Sequence, residues 1–177
     1  MLISDQTIGL RRFQIEDLDK LYPAIVESSL GLRSWMTWYH PSYTLDDCRA
    51  FISKAIADWA SREEYTFAIV CHSSGEVLGS ISLNKLNKQE NSANVGYWVR
   101  LKRAGDGIAT RALRLVAAFA FDELDLRRLD MLVPVGNGAS QRVAMKAGAK
   151  LNKNAREMVM LNGESHDAMV FSLEAAR

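Results

Sequence analysis

The chain has 177 residues, of which 48% are hydrophobic and 24% carry a charge. We interpret residues 1–177 as one globular domain, because this composition excludes a disordered chain and this length seldom accommodates two domains. The 22 basic and 21 acidic residues nearly cancel, which argues against a nucleic-acid partner.

The sequence also bears on cellular compartment. Every apolar run is shorter than the roughly 18–20 residues that cross a bilayer, and the first residues lack a signal-peptide pattern. The two cysteines, Cys48 and Cys71, are too few for a disulfide-stapled secreted domain. The three histidines share no ligand spacing. We therefore expect a cytoplasmic protein with no membrane partner, no disulfide and no metal.

Hydrophobic periodicity predicts elements in the order β, α, α, β, β, β, α, β, α, β, β. The predicted strands span residues 8–13, 65–71, 77–83, 94–99, 129–135, 155–161 and 166–173. The predicted helices span residues 17–29, 44–62, 110–124 and 139–146. Thr44 and Asp47 form a capping box, Gly148 suits a left-handed helix end, and Asn162-Gly163 suits a hairpin turn. This order predicts an α/β fold with helices packed on one mixed sheet.

The segment from Val95 to Thr110 leads from a strand through a glycine loop into an amphipathic helix. Gly105 and Gly107 let the backbone approach a ligand closely, and the free N–H groups of a helix N-terminus attract phosphate. Five basic residues and one acid surround the loop, a local charge of +4: Arg100, Lys102, Arg103, Arg111, Arg114 and Asp106. A turn that binds nothing and a dinucleotide-binding loop are the alternatives, although Thr110 stands where the latter needs a small residue.

A second candidate element, residues 136–149, follows the next strand and opens the next helix. The Asn137 amide can donate and accept hydrogen bonds to an extended amide ligand, and the Ser140 hydroxyl lies in the first helical turn. An ordinary helix cap and an ordinary first-turn residue are the alternative interpretations.

Together these motifs resemble the Gcn5-related N-acetyltransferase (GNAT) superfamily, and within it the RimJ/RimL branch that acetylates the N-termini of ribosomal proteins. The resemblance rests on Gly-Tyr-Trp at 96–98, Gly-x-Gly-Ile-Ala-Thr at 105–110 and Asn-x-Ala-Ser at 137–140, and it covers nearly the whole chain. It implies an α/β (α+β) domain with a mixed, mostly antiparallel sheet, a splayed central strand pair and flanking helices. It also implies acetyl-CoA as co-substrate, a primary amine as acceptor and, by family analogy, a homodimer.

The resemblance implies roles for particular residues. Backbone amides 104–109 would bind the pyrophosphate, residues 97–99 would pair with the pantetheine arm, and Asn137 would bind that arm. Ser140 would protonate the leaving thiolate. The residues implied to bind the cofactor are Tyr97, Trp98, Val99, Arg103, Ala104, Gly105, Asp106, Gly107, Ile108, Ala109, Thr110, Asn137, Ser140 and Arg142.

One departure from the family pattern affects the chemistry. Asn94 occupies a candidate catalytic position at which many members carry a glutamate, so no carboxylate stands there. The general base is left open among Glu90, Glu157 and Asp167, acting through water. A covalent route through Cys71 is not expected, because nothing in the sequence indicates an activated thiol.

A loop that carries Trp35, Trp38 and Tyr39 is the candidate wall of the acceptor site, and packing under the first helices is its alternative. We expect acetyl transfer by direct attack of a protein N-terminal amine, because such an amine has a pKa near 8 and is partly neutral at cellular pH. A small amine acceptor (an antibiotic, polyamine or amino acid) and a catalytically weak CoA-binding regulatory protein are the alternatives.

The charges are unevenly distributed along the chain. Residues 1–99 carry 9 basic and 12 acidic side chains, whereas residues 100–157 carry 12 and 6. The basic segment is the one assigned to the anionic cofactor, and we expect the acidic segment to face a cationic amine.

Overall fold

The computed structural model describes residues 2–155 and 157–176. The strands among them are β1 (Leu2–Ser4), β2 (Ile8–Arg12), β3 (Tyr65–Cys71), β4 (Val77–Asn87), β5 (Ser92–Val99), β6 (Arg128–Pro134), β7 (Lys150–Leu151), β8 (Glu157–Leu161) and β9 (Glu164–Glu174). The α-helices are α1 (Leu18–Glu27), α2 (Ser29–Trp35), α3 (Leu45–Ser61), α4 (Ile108–Asp122) and α5 (Gly138–Ala147). None of the helices in these ranges is long and apolar enough to cross a membrane.

All the strands belong to one sheet, in the order β1-β2-β3-β4-β5-β6-β9-β7, with β8 paired to β9. Neighbouring strands are antiparallel except β5 and β6, which run parallel. The sheet is therefore mixed and mostly antiparallel, with helices on both faces, and the predicted fold class is confirmed.

The parallel pair β5–β6 separates soon after it forms. Its register covers only Ser92–Asn94 against Arg128–Asp130. Beyond these three residue pairs, β5 stays paired with β4 as far as Val99, and β6 stays paired with β9 as far as Pro134. The two halves of the sheet thus diverge into a V-shaped opening, the predicted splay.

Each face of the sheet carries its own hydrophobic core. On one face α4 packs Leu113, Val116 and Phe119 against Phe67 and Ile69. On the other face α1, α2 and α3 pack against the alternate residues of β3, including Ala68 and Val70. Because β3 is covered on both sides, its residues from 65 to 70 are all buried, which explains the unbroken apolar run.

Several local predictions are confirmed. The Asp47 N–H donates to Thr44 Oγ1 (3.2 Å) and the Thr44 N–H donates to Asp47 Oδ2 (2.8 Å), so α3 opens on the predicted capping box. Gly148 ends α5 with a φ of +103°. Residue 156 of the predicted strand 155–161 lies outside the described residues, and the rest of that strand forms β8 from Glu157.

The predicted helix 17–29 was wrong at its end, because the structure has two helices there. The break lies at Ser28, whose hydroxyl donates to the Ala24 carbonyl (2.6 Å) and accepts the Leu101 N–H (3.0 Å). The second helix, α2, extends to Trp35, which therefore ends a helix and does not lie in a loop. This break depends on a contact 73 residues away, so local periodicity could not predict it.

Gly79 of β4 lies directly against the backbone of β5. Its φ is +150°, and an added Cβ would lie 2.1 Å from the Trp98 carbonyl oxygen. Because this oxygen belongs to the backbone of a central strand, it cannot move aside cheaply. Only glycine fits here.

We expect Gly79→Ala to destabilise the protein by about 3 kcal/mol, since steric overlap and an unfavourable φ add together. At this chain length that loss lowers the midpoint of thermal unfolding by roughly 6–12 °C. The matched control is Gly75→Ala, which also has a positive φ (+66°) but no atom within 4 Å of the new Cβ. Equal losses in the two variants would show that the contact with Trp98 is unimportant.

Candidate active site

The V-shaped opening contains a cavity of about 360 Å³. Its walls are the free stretch of β5, the loop before α4, the first turns of α4 and α5, and α2. Of the predicted cofactor-binding residues, all but Asp106 line this cavity. Asp106 lies beside it in the same loop and accepts a hydrogen bond from Arg103 (2.8 Å).

The loop before α4 is shaped by two glycines. Gly105 and Gly107 have φ values of +93° and +76°, a conformation that side chains disfavour. Nothing lies within 4 Å of a Cβ added at either position, so the backbone faces open space. The N–H groups of Ile108, Ala109 and Thr110 begin α4 and have no preceding helical carbonyl to bond. This arrangement suits an anion such as a pyrophosphate.

The predicted local charge of +4 around this loop was too high, because three distant carboxylates pair with its cations and reduce it to +1. Glu27 accepts hydrogen bonds from Arg100 Nε (2.6 Å) and lies 3.2 Å from Lys102 Nζ. Glu76 pairs with both Arg100 and Arg103. Arg111 pairs with Asp5 (3.1 Å). The hydrogen bond from Arg100 holds the pKa of Glu27 below its usual value, so this carboxylate stays charged.

The cations still available to a ligand lie instead on α4 and α5. Arg142 and Lys146 line the cavity, and in the described residues no carboxylate lies within 4 Å of either side chain. Arg114, one helix away, donates to the Lys146 carbonyl oxygen. The positive field for an anionic ligand therefore comes mainly from these three residues.

The free stretch of β5 carries the predicted residues Tyr97, Trp98 and Val99. They lie beyond the last pair with β6, so this edge faces the opening. An extended ligand with amide groups can pair with such an edge as an added strand does. Trp98 is buried and packs in the core under α1 and α3.

Asn137 and Ser140 open α5. The Asn137 Oδ1 accepts the Ser140 N–H (3.1 Å), so the helix-cap interpretation of Asn137 is confirmed. The cap uses the oxygen and leaves the Asn137 NH₂ group as a donor for a ligand. Both residues line the cavity.

Sequence reasoning missed the role of the Tyr97 hydroxyl. It lies 2.8 Å from Ser140 Oγ and 3.3 Å from the Ser140 carbonyl oxygen, and so connects β5 with α5 across the opening. Burial raises the pKa of Tyr97, although the Ser140 hydrogen bond opposes the shift, and the phenol stays protonated. The two hydroxyls thus form a chain that can deliver a proton.

A second cavity of about 390 Å³ lies on the other side of this hydroxyl pair. Tyr97, Trp98, Asn137 and Ser140 line both cavities, so the two meet at the Tyr97–Ser140 contact. A donor in the first cavity and an acceptor in the second would therefore face each other at Ser140.

The second cavity is aromatic on one side and neutral polar on the other. Trp35 and Trp38, two of the residues predicted for the acceptor wall, line it. Tyr39 does not line either cavity and stacks on Tyr43 with 5.8 Å between ring centroids, so the packing alternative describes it better. The polar side is a group of sheet residues: Thr66, Ser80, Ser82, Asn84 and Asn94.

The predicted catalytic position Asn94 lies in this second cavity. Its Nδ2 donates to Asn84 Oδ1 (2.9 Å), while its own Oδ1 is buried and has no hydrogen-bond partner among the described residues. A buried oxygen without a partner is costly, so a ligand N–H that reached it would be stabilised by a hydrogen bond.

None of the three predicted relay carboxylates lines the second cavity. Glu90 pairs with Arg128 (2.6 Å), and Glu157 and Asp167 line other depressions. The charged side chains that do line it are Glu64 and Lys85. Glu64 was missed, although polar residues at every second strand position from 64 to 66 and from 80 to 84 could have indicated a polar sheet face.

Within the described residues, no group of three or more histidine, cysteine, aspartate or glutamate side chains is placed to bind a metal ion.

Comparison with known proteins agrees with this geometry. Residues 7–150 match the acetyltransferase (GNAT) domain family. The Bacillus subtilis (strain 168) protein named "Putative ribosomal N-acetyltransferase YdaF" is 30% identical over 96% of this chain and 92% of its own length. Spermidine N(1)-acetyltransferase of Escherichia coli (strain K12) is 24% identical over 94% of this chain and 85% of its own.

Solved structures show the same fold. The microcin C7 self-immunity acetyltransferase MccE, in complex with acetyl-CoA and AMP, has a TM-score of 0.89 at 22% identity, over 97% of this chain and 94% of that chain. RimL, the ribosomal L7/L12 α-N-protein acetyltransferase in complex with coenzyme A, has a TM-score of 0.87 at 21% identity, over 98% of both chains. Because the family match spans most of the chain and one relative reaches 30% identity over nearly its full length, this chain belongs to the GNAT family of N-acetyltransferases.

Proposed function

We propose that this N-acetyltransferase transfers the acetyl group of acetyl-CoA to the N-terminal amine of a protein. Acetyl-CoA is the acetyl donor of the family. The proposal for the acceptor rests on one observation: the described lining of the second cavity carries a single carboxylate, Glu64, and a single lysine, Lys85.

This charge balance suits a monoamine and not a polycation. A polyamine or an aminoglycoside carries several ammonium groups, and each one taken from water needs a carboxylate or a comparable partner. A peptide N-terminus carries one ammonium group followed by neutral amides. The hydroxyls and amides of Thr66, Ser82 and Asn84 can bond such a backbone or a small polar side chain.

The names of the relatives indicate two different kinds of acceptor, a protein and a polyamine. YdaF and RimL are named for ribosomal proteins, whereas another relative is named for spermidine. The neutral lining is what favours the protein N-terminus over the small polyamine. The acidic N-terminal segment does not help to choose between these two acceptors. Three of its acidic residues, Glu27, Glu76 and Asp5, pair with arginines near the first cavity and so do not face an amine in the second.

For acetyl-CoA we propose the first cavity. The loop from Gly105 and the first N–H groups of α4 would take the pyrophosphate, with Arg142 and Lys146 supplying positive charge. The free edge of β5 and the Asn137 NH₂ group would bond the amides of the extended arm. This arrangement leads the thioester end of the donor toward Ser140.

The proposed reaction needs no covalent intermediate on the protein. The neutral amine nitrogen bonds to the acetyl carbon, the carbon–sulfur bond breaks, and the thiolate takes up one proton. Ser140 donates that proton and regains one from the Tyr97 hydroxyl, 2.8 Å away, and the proton lost by the new amide nitrogen restores the phenol. Burial raises the pKa of Tyr97, but a phenol is still more acidic than an aliphatic alcohol, so Tyr97 is a better final donor than an isolated alcohol.

We expect Ser140→Ala to lower kcat about 100-fold and Tyr97→Phe to lower it about tenfold, since both interrupt general-acid catalysis. The dissociation constant of acetyl-CoA, from calorimetry, should change less than threefold in each variant. Ser165→Ala, an exposed serine on β9, is the control and should match the wild type. A Ser140→Ala enzyme within twofold of wild-type kcat contradicts the proposed role.

The alternative covalent route through Cys71 makes a separate prediction. Hydrogen bonds from Ser73 and Ser74 lower the pKa of the Cys71 thiol to about 6, whereas burial raises the pKa of Cys48 to about 11. This activation was not expected from the sequence. Cys71 nevertheless lines neither cavity. At pH 7 iodoacetamide should therefore label Cys71 and spare Cys48, with a labelling rate that falls below pH 6, as followed by mass spectrometry.

The same thiol should be dispensable for acetyl transfer. We expect Cys71→Ser to keep the wild-type kcat, because no step of direct transfer uses a thiolate. Loss of turnover in that variant, together with an acetylated Cys71 in the wild-type protein mixed with acetyl-CoA, would establish a covalent route.

The proposed function is tested with donor and acceptors separately. Acetyl-CoA should raise the midpoint of thermal unfolding, as any ligand selective for the folded state does. Thiol release should then be faster with hexapeptides that begin with serine or alanine than with spermidine. The same peptides with a blocked N-terminus and an internal lysine are the control. Preference for spermidine contradicts the proposed acceptor, and binding without any transfer supports the regulatory alternative.

A further inference from the structure

Glu64, Asn84 and Asn94 line the second cavity from adjacent segments: Asn84 and Asn94 lie on β4 and β5, and Glu64 directly precedes β3. Asn84 is paired with Asn94 in the β4–β5 register. Tyr65 is paired with Leu83, so Glu64, one residue earlier, stands opposite Asn84. At about 4.8 Å per strand, this row of three side chains spans roughly 10 Å of the second cavity.

Hydrogen bonds within the row fix the orientation of its amides. Asn94 Nδ2 donates to Asn84 Oδ1 (2.9 Å), and Asn84 Nδ2 donates to Ser82 Oγ (3.0 Å). With both nitrogens used in this direction, the carbonyl end of Asn94 is the end without a partner. The unused hydrogen-bonding capacity of the row is therefore that of an acceptor, which a rotation of the buried Asn94 amide would bring to a molecule in the cavity. An amine N–H fits this acceptor.

Asn94 can hold an amine but cannot take its proton, because an amide oxygen is a very weak base. The carboxylate in the row is Glu64. Its Oε1 accepts the Thr66 hydroxyl (3.1 Å), and in the described residues no lysine or arginine nitrogen lies within 4 Å of it. Glu27, Glu76, Glu90 and Asp130 all have such partners. Glu64 is thus a carboxylate in the acceptor cavity that is not neutralised by an ion pair.

We propose that Glu64 accepts the proton of the acceptor ammonium through water along this row, while Asn94 Oδ1 positions the nitrogen. This inference rests on the proposed function, since it needs an amine in the second cavity. The Thr66 and Ser82 hydroxyls, on paired residues of β3 and β4, line the path and can bond the bridging water.

The proton balance of the reaction is complete with these groups. The ammonium gives one proton to Glu64, which passes it to solvent, and the neutral nitrogen then bonds to the acetyl carbon. A second proton leaves that nitrogen as the amide forms and compensates the one taken up by the thiolate. The sum is one acetylated amine, one thiol and one released proton.

The other charged side chains near Glu64 and the second cavity either have ion-pair partners or are exposed. Lys54 pairs with Asp58, and Asp130 is bonded by Arg128 and Ser172. Lys85 lines the same cavity but is exposed. Glu63, adjacent to Glu64, is exposed and does not line the cavity. Glu63 is therefore a matched control with the same charge and nearly the same position in the chain.

The test compares Glu64→Gln with Glu63→Gln from pH 6.5 to 9.5, on a hexapeptide that begins with serine. An N-terminal amine has a pKa near 8. Below pH 8 most of the amine is protonated and must lose a proton to a base before it reacts, whereas above pH 9 most of it is already neutral. We expect Glu64→Gln to lower kcat/KM about 100-fold at pH 7 and less than fivefold at pH 9.5. Glu63→Gln should follow the wild-type profile, and both variants should bind acetyl-CoA as the wild type does.

A second variant separates positioning from proton transfer. Asn94→Ala should raise the peptide KM about tenfold at every pH, because it removes the acceptor of the amine N–H and leaves Glu64 in place.

A Glu64→Gln profile that parallels Glu63→Gln, or a loss that is equal at all pH values, overturns the proposal. A wild-type enzyme that binds acetyl-CoA but acetylates neither peptides nor spermidine overturns the proposed function first, and this proposal with it. If only spermidine is acetylated, the proposed acceptor is contradicted, and the comparison of the Glu64 variants on spermidine must extend to pH 11, because an alkylamine with a pKa near 10.4 is mostly neutral only above that value.

Discussion

The short parallel contact between β5 and β6 is the constraint on which the rest of the structure depends. Parallel neighbours need a crossover, and here α4 supplies it, so the N-terminus of that helix arrives at the edge where β5 ends. After three residue pairs each strand follows its other partner, β4 or β9, and the sheet opens. Both cavities, and the Tyr97–Ser140 contact between them, occupy the space that this divergence leaves.

Most of the features that could be predicted from the sequence depend on residues that are close together in the chain. The Thr44–Asp47 capping box, the glycines before α4 and the Gly148 helix end depend on a few neighbouring residues, and all are present. The resemblance to the GNAT family added the mostly antiparallel pairing of the sheet and the splay of its central strands, which periodicity alone does not contain. The two short strands β1 and β7 were missed because three and two residues carry no periodic signal.

Long-range contacts account for the features that the sequence could not predict. The three carboxylates that pair with cations of the loop before α4 lie 24 to 106 residues away from them in the chain, so a local count of charges overestimated the positive charge. Glu64 and Asn94 are 30 residues apart and become neighbours of Asn84 only through two strand registers. Positive charge therefore lies on α5 beside the first cavity, whereas the polar lining of the second cavity is nearly neutral.

The ion pairs of Arg100 have a consequence for the cost of binding. This side chain is mostly buried and joins Glu27 at the end of α1 to Glu76 in the β3–β4 turn, while the Ser28 hydroxyl holds the Leu101 N–H. Three distant segments thus fix the start of the loop that we propose binds the pyrophosphate, before any ligand arrives. A loop that is already ordered loses little conformational entropy on binding. More of the favourable free energy of each phosphate contact therefore contributes to affinity. The acids near this loop therefore contribute to holding an anion, although they carry its own sign of charge.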